Sequence, residues 1–160
     1  MLPNYDAKAV AEVMGIEFQR PKEGKVKARS KLVSWPSAFL IAKAVESGLP
    51  RKVLRRVAER IAGEDKAKVS ALEFDVVPKT TLQRREGRKL TLHESEQTEH
   101  VARLFVHARR ALGTEAEARE FMTAPHPELD GRTPVDAAKT DLGTLRAEQI
   151  LNALEYGLAL

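Results

Sequence analysis

Residues 91–113 read TLHESEQTEHVARLFVHARRALG and predict the longest helix of the chain. Thr91 and Glu94 have the spacing of a capping box, in which each side chain binds a backbone N–H of the first turn. Gly113 is the residue type that commonly ends a helix. Apolar side chains recur at helical spacing between these ends: Val101, Leu104, Phe105, Ala108 and Leu112. We therefore expect this helix to dominate the core.

Shorter helices are predicted on the N-terminal side of the long helix, from capping residues, prolines and glycines. They cover residues 4–14, 34–48, 50–63, 64–72 and 78–87. The helix over 34–48 is expected to bury Phe39, Leu40 and Val45, and residues 74–77 are interpreted as a turn. Residues 19–31 are basic and poor in apolar side chains, which favours a solvated linker over a phosphate-binding arm.

Three more helices are predicted on the C-terminal side. Thr114 and Glu117 form a second capping box, Thr133 and Pro134 begin a short helix, and the last helix follows Asp141. Its apolar residues are Leu142, Leu145, Ile150, Leu151 and Leu154. The fold class expected from these elements is all-α.

The composition fits one compact domain or two small ones. The chain has 160 residues, of which 42% are hydrophobic and only 5% aromatic, so Leu, Val, Ile and Ala must build the core. Because cysteine is absent, thiol catalysis, disulfides and thiolate metal sites are excluded. Residues 38–45 are the most apolar stretch and are too short for a membrane span, and no secretory signal is evident. We therefore expect a cytoplasmic protein with no membrane partner.

The charge is distributed unevenly along the chain. Residues 1–92 contain 20 basic and 11 acidic side chains, whereas residues 93–160 contain 7 basic and 12 acidic ones. A basic half favours an anionic partner such as nucleic acid. The alternative is an uneven surface charge without a function, and charge alone does not separate the two.

A helix-turn-helix is predicted where the helix over 78–87 follows a short helix and a turn. The side chains able to contact bases or phosphates are Lys79, Thr80, Thr81, Gln83, Arg84, Arg85 and Arg88. A solvated basic helix is the alternative. The proline at its start and the apolar Leu82 favour a DNA-recognition helix.

Neither a metal site nor a catalytic motif is predicted. His93, His100 and His107 are seven residues apart, which places neighbours roughly 10 Å apart on a helix, too far to share one ion. They are interpreted as surface or interface residues. Zinc-protease, nucleophile-elbow and phosphate-loop motifs are absent, so we expect neither an enzyme nor a cofactor.

The chain closes on apolar residues that suit either insertion into a partner or docking onto its own core. They are Leu154, Tyr156, Leu158 and Leu160. Both interpretations stay open at this point.

Several runs of residues resemble the antitoxins of RES–Xre toxin–antitoxin systems, the Xre/MbcA/ParS family. The C-terminal runs are LTLHESE at 90–96, TAPHPELDGRTP at 123–134, TDLG at 140–143 and EYG at 155–157. Upstream, GLP at 48–50 and PKTTLQRR at 78–85 resemble the Xre-type helix-turn-helix.

Residues 1–33 lie outside the resemblance and are interpreted as an N-terminal extension and basic arm. The resemblance implies a helix-turn-helix DNA-binding domain over 34–89 and a small helical toxin-binding domain over 90–160. It also implies an antitoxin that is not itself an enzyme. The C-terminal helix and tail of this antitoxin would block the active site of a RES-domain toxin. That toxin would degrade NAD or transfer ADP-ribose. The toxin-binding residues would be Arg132, Leu151, Leu154, Glu155, Tyr156, Leu158 and Leu160. Repression of its own operon, as a homodimer on operator DNA, is expected as well. The alternative is a stand-alone transcriptional regulator whose C-terminal domain mediates dimerisation.

Overall fold

The computed structural model describes residues 5–19 and 36–157, and within these ranges it contains nine α-helices and no strand. The helices are α1 Ala7–Met14, α2 Ala38–Glu46, α3 Arg51–Ala62, α4 Lys66–Val76, α5 Lys79–Arg84, α6 Leu92–Leu112, α7 Glu115–Thr123, α8 Pro134–Ala137 and α9 Asp141–Tyr156. A 3-10 turn, Pro127–Leu129, lies between α7 and α8. The predicted all-α class is confirmed.

Helix α6 is the centre of the molecule, as predicted. Its Ala102, Leu104 and Phe105 are fully buried, and α1, α2, α3, α7, α8 and α9 all pack against it. The capping box is present, because the Thr91 hydroxyl accepts from the Glu94 N–H and the Glu94 carboxylate accepts from the Thr91 N–H at 2.8 Å. Gly113 ends the helix in the left-handed conformation.

Helices on both sides of residue 90 contribute to one hydrophobic cluster around α6. Helix α1 packs on α6 and α3. The boundaries expected at residues 33 and 89 stay predictions, and the basic arm lies almost wholly outside the described residues.

Two local predictions are wrong. Residues 74–76 continue α4 instead of forming a turn, because no proline or glycine interrupts the helix before Pro78, and Val76 packs into the core. Phe39 is 67% exposed, whereas Ile41 and Val45 carry the buried face of α2. Residues four apart share one face of a helix, and Phe39, two residues before Ile41, points to the other side.

None of the described helices has both the length and the apolar character needed to cross a membrane.

Candidate functional site

Helix α9 is anchored to α6 near its C-terminal end by Glu155. The Glu155 carboxylate accepts from Arg110 Nε at 2.8 Å and lies 3.2 Å from His107 Nε2. The hydrogen bond from Arg110 lowers the pKa of Glu155, and burial lowers the pKa of His107. An anionic Glu155 therefore holds the last turn of α9 against α6.

One side of α9 carries exposed apolar side chains. Leu142, Leu145 and Tyr156 are 79%, 50% and 57% exposed, and with Gln149 they repeat at helical spacing. We call these four residues the α9 stripe. The three apolar side chains of this row are stabilised when a partner covers them.

The residues expected to contact a toxin lie in different surroundings. Leu154 and Tyr156 are exposed, and so is Arg132, whose Nε donates to the Leu129 carbonyl at 3.2 Å. Leu151 is fully buried on the opposite side of α9, so the prediction of a partner contact there is wrong. Leu158 and Leu160 lie outside the described residues.

Arg132 is presented by a tight turn between α7 and α8. The His126 N–H donates to the Arg132 carbonyl at 3.0 Å, closing the turn. Asp130 and Gly131 both adopt positive φ there, a conformation that glycine tolerates best. The glycine of the DGR sequence at 130–132 is thereby explained by backbone geometry.

Gly143, in the first turn of α9, must be a glycine because α8 packs closely against it. The sequence alone did not reveal this requirement. A Cβ at this position would overlap the backbone carbonyl of Ala137 in α8. Helix α8 can therefore approach α9 only because residue 143 is glycine.

Most of the predicted DNA-recognition residues form an exposed surface on and after α5. Those exposed are Lys79, Thr80, Gln83, Arg84 and Arg88, and Thr81 is partly buried. Leu82 is buried and attaches the helix to the core, as expected. The arrangement has the solvent access that a recognition helix needs.

Arg85 differs from the other predicted DNA contacts. Its Nη1 donates to both carboxylate oxygens of Glu94, at 2.7 and 2.6 Å. Glu94 is largely buried and also belongs to the capping box of α6. Arg85 therefore attaches the segment after α5 to the start of α6.

The three histidines of α6 do not meet around an ion. His100 Nδ1 lies 3.2 Å from the Ala138 carbonyl oxygen, His107 faces Glu155, and His93 is exposed. Within the described ranges no group of three or more His, Cys, Asp or Glu side chains is arranged to hold a metal.

A polar cluster between α6, α9 and the residues just before α1 was not predicted. Tyr5 Oη donates to Glu99 at 2.9 Å, and Arg103 Nε lies 3.0 Å from the carboxylate of Glu148. Burial, reinforced by Glu99, raises the pKa of Tyr5. The spacing of Glu99, Arg103 and His107 along α6 was the available signal, since residues four apart share a face.

Comparison with known proteins bears on the C-terminal part of the chain. Residues 107–157 match the family model of the antitoxin Xre/MbcA/ParS C-terminal toxin-binding domain. No curated protein matches the chain. The matched segment contains the Glu155 anchor, the DGR turn, Gly143 and the α9 stripe. The match confirms the resemblance to Xre-type antitoxins, because residues 107–157 are similar to the C-terminal toxin-binding domain of the Xre/MbcA/ParS antitoxin family.

Proposed function

We propose that this chain binds and neutralises a RES-domain toxin that consumes NAD, and that it represses its own operon. The observation that carries the proposal is the match of residues 107–157 to the toxin-binding domain of Xre-type antitoxins. The RES class and the NAD chemistry of the partner follow from the wider resemblance. The antitoxin takes no catalytic part in this account.

Neutralisation is proposed to work by occlusion of the toxin's active site. The Glu155 anchor fixes the direction in which α9 ends, so Leu154 and Tyr156 are presented with little loss of conformational freedom on binding. Aromatic and large apolar side chains are the residues that contribute most to protein interfaces when they fill a pocket. Seated in the substrate pocket, this end of the chain would exclude NAD.

Co-expression with the product of the adjacent gene tests the antitoxin role. We expect the two proteins to co-purify, and NAD consumption by the partner to stop when this chain is present at equal concentration. A partner that consumes NAD equally well with and without this chain would overturn the proposal.

Operator binding through α5 is the second part of the proposal. The exposed Gln83, Arg84 and Arg88 support it, because their side chains can pair with base edges and phosphates. A homodimer would place two copies of α5 on two half-sites of the operator.

The chain's own promoter fragment is the probe for this part. We expect binding that weakens steeply with salt, as phosphate contacts require, and a dimer in light scattering. Binding without any toxin interaction would instead favour the stand-alone regulator.

A further inference from the structure

The residues proposed to contact the operator are carried by a helix that is too short to hold itself in place. Helix α5 has six residues, fewer than the roughly 12–15 that make an isolated helix even marginally stable in water. It begins after the buried Val77, and its Leu82 packs into the core. These two residues fix the start and the middle of α5, so the direction of its end depends on a further attachment.

Arg85, the residue that follows α5, supplies this attachment. Its Nη1 donates to the two carboxylate oxygens of Glu94 at 2.7 and 2.6 Å. Hydrogen bonds between charged groups are stronger than neutral ones and hold a guanidinium in a defined orientation. Glu94 is itself held, because it is largely buried in the first turn of α6 and accepts from the Thr91 N–H. The end of α5 is thus attached to a rigid part of the core.

The chain after Arg85 is fixed at both of its ends. The Arg88 N–H donates to the Arg85 carbonyl at 2.9 Å, and the Leu90 N–H donates to the Leu49 carbonyl at 2.8 Å. The Leu49 N–H donates in turn to Ser95 Oγ at 2.9 Å, next to Glu94 in α6. The exposed Arg88 therefore lies between two attachments.

We propose that Glu94 is a positioning residue for operator binding, which acts through Arg85 and touches no DNA. It fixes the end of α5 and hence the direction in which Gln83, Arg84 and Arg88 face the operator. A contact surface that is ordered beforehand loses less conformational freedom on binding, so the attachment should tighten the complex with DNA. This inference rests on the proposed function, because it takes operator binding through α5 as given.

The negative charge of Glu94 by itself predicts the opposite effect. A carboxylate beside a DNA-binding surface repels the phosphates, so its removal would tighten binding if charge were its only influence. The direction in which the affinity changes therefore separates positioning from simple electrostatics.

Glu94→Gln tests the inference on the full-length chain with its own promoter fragment. Glutamine can still accept from the Thr91 N–H, since it also closes a capping box, but it lacks the charge that holds Arg85. We expect the dissociation constant to rise about fivefold or more. Fluorescence anisotropy measures it at a temperature at which circular dichroism shows the variant folded. Equal or tighter binding would overturn the inference.

Glu99→Gln is the matched control. Glu99 is also a largely buried glutamate of α6, and it accepts from Tyr5 Oη at 2.9 Å. We expect this variant to lose stability and to keep the promoter affinity of the natural chain. A loss of affinity as large as that of Glu94→Gln would show that general loosening of α6 weakens binding, which would overturn the positioning role.

A double-mutant cycle tests whether Glu94 acts through Arg85. In an Arg85→Ala chain Glu94 has no guanidinium to hold. Adding Glu94→Gln to that chain should therefore change the promoter affinity by less than about twofold. A loss as large as the one in the natural chain would refute action through Arg85.

The two proposals fail in different ways. A natural chain that does not bind its promoter fragment refutes operator binding itself. A natural chain that binds the fragment, together with a Glu94→Gln variant of equal or higher affinity, refutes only the positioning role.

Discussion

Arg84 and Arg85 are neighbours in the chain but lie in different surroundings. Arg84 is exposed on α5, and its Nε donates to the carbonyl of Thr80 in the preceding turn. Arg85 is bound to Glu94 at the start of α6. A basic pair that looks uniform in sequence therefore divides into a candidate DNA contact and a structural ion pair.

Alanine substitutions should separate these two roles. Arg84→Ala is expected to weaken binding to the promoter fragment while leaving stability within about 0.5 kcal/mol. Arg85→Ala is expected to lower the free energy of unfolding by about 1–3 kcal/mol, because the buried Glu94 loses its cation. Urea denaturation and fluorescence anisotropy measure the two effects. Equal stability of both variants would show that the Arg85 ion pair contributes little.

His107 predicts how stability depends on pH. Burial lowers its pKa below the ordinary value of 6.5, so the folded chain resists protonation more than the unfolded chain does. The stability that this shift contributes is fully present above pH 6.5. It is lost as the pH falls from 6.5 to the lower pKa that His107 has in the folded chain. The pKa of Glu155 is also lowered, so the folded chain loses further stability as the pH falls below 4.5, the ordinary pKa of this carboxyl group.

The His107→Gln variant should therefore lose less stability than the natural chain between pH 7 and pH 5. Urea denaturation at each pH measures the free energy of unfolding. His93→Gln, at an exposed position of the same helix, is the matched control and should behave as the natural chain does. An unchanged pH dependence in His107→Gln would contradict this interpretation of the His107 site.

At the scale of elements, the contact between α8 and α9 depends on Gly143. Gly143→Ala should force the helices apart and lower stability by about 1–3 kcal/mol, as overpacking does. Leu142→Ala is the neighbouring control, because Leu142 is exposed and its loss should change stability by less than about 0.5 kcal/mol. Thermal unfolding of both variants measures the difference. A Gly143→Ala chain as stable as the control would show that α8 can shift at little cost.

The helices themselves could largely be predicted from local chemistry. Thr91, Gly113 and Pro134 mark helix ends through capping and backbone preference, which depend only on neighbours in the chain. The exposure of Phe39 could not be predicted in this way, because it depends on which side of α2 meets α6.

The candidate site could be predicted only in part, because it also depends on which residues the fold brings together. The apolar end of α9 is visible in the sequence, and so is the basic surface of α5. The Glu155 anchor joins residues 45 positions or more apart, so it has no local signature. Leu151 was misassigned because an apolar residue near the chain end looks the same whether it faces the core or a partner.

At the scale of the whole molecule, α6 connects the two candidate surfaces. Its first turn binds Arg85 beside α5, and its last turns bind Glu155 of α9. Both surfaces are thus attached to one buried helix. The candidate toxin-binding end and the candidate DNA-binding end are held in a fixed relation by the core.

Neutralisation of the toxin is proposed to reside in the end of α9 and the residues after it. Its most direct test is NAD consumption by the purified toxin, titrated with the full chain and with a chain lacking residues 156–160. The deletion keeps Glu155, so we expect a folded protein that leaves NAD consumption high, whereas the full chain suppresses it at equal concentration. Equal suppression by the two chains would contradict the account.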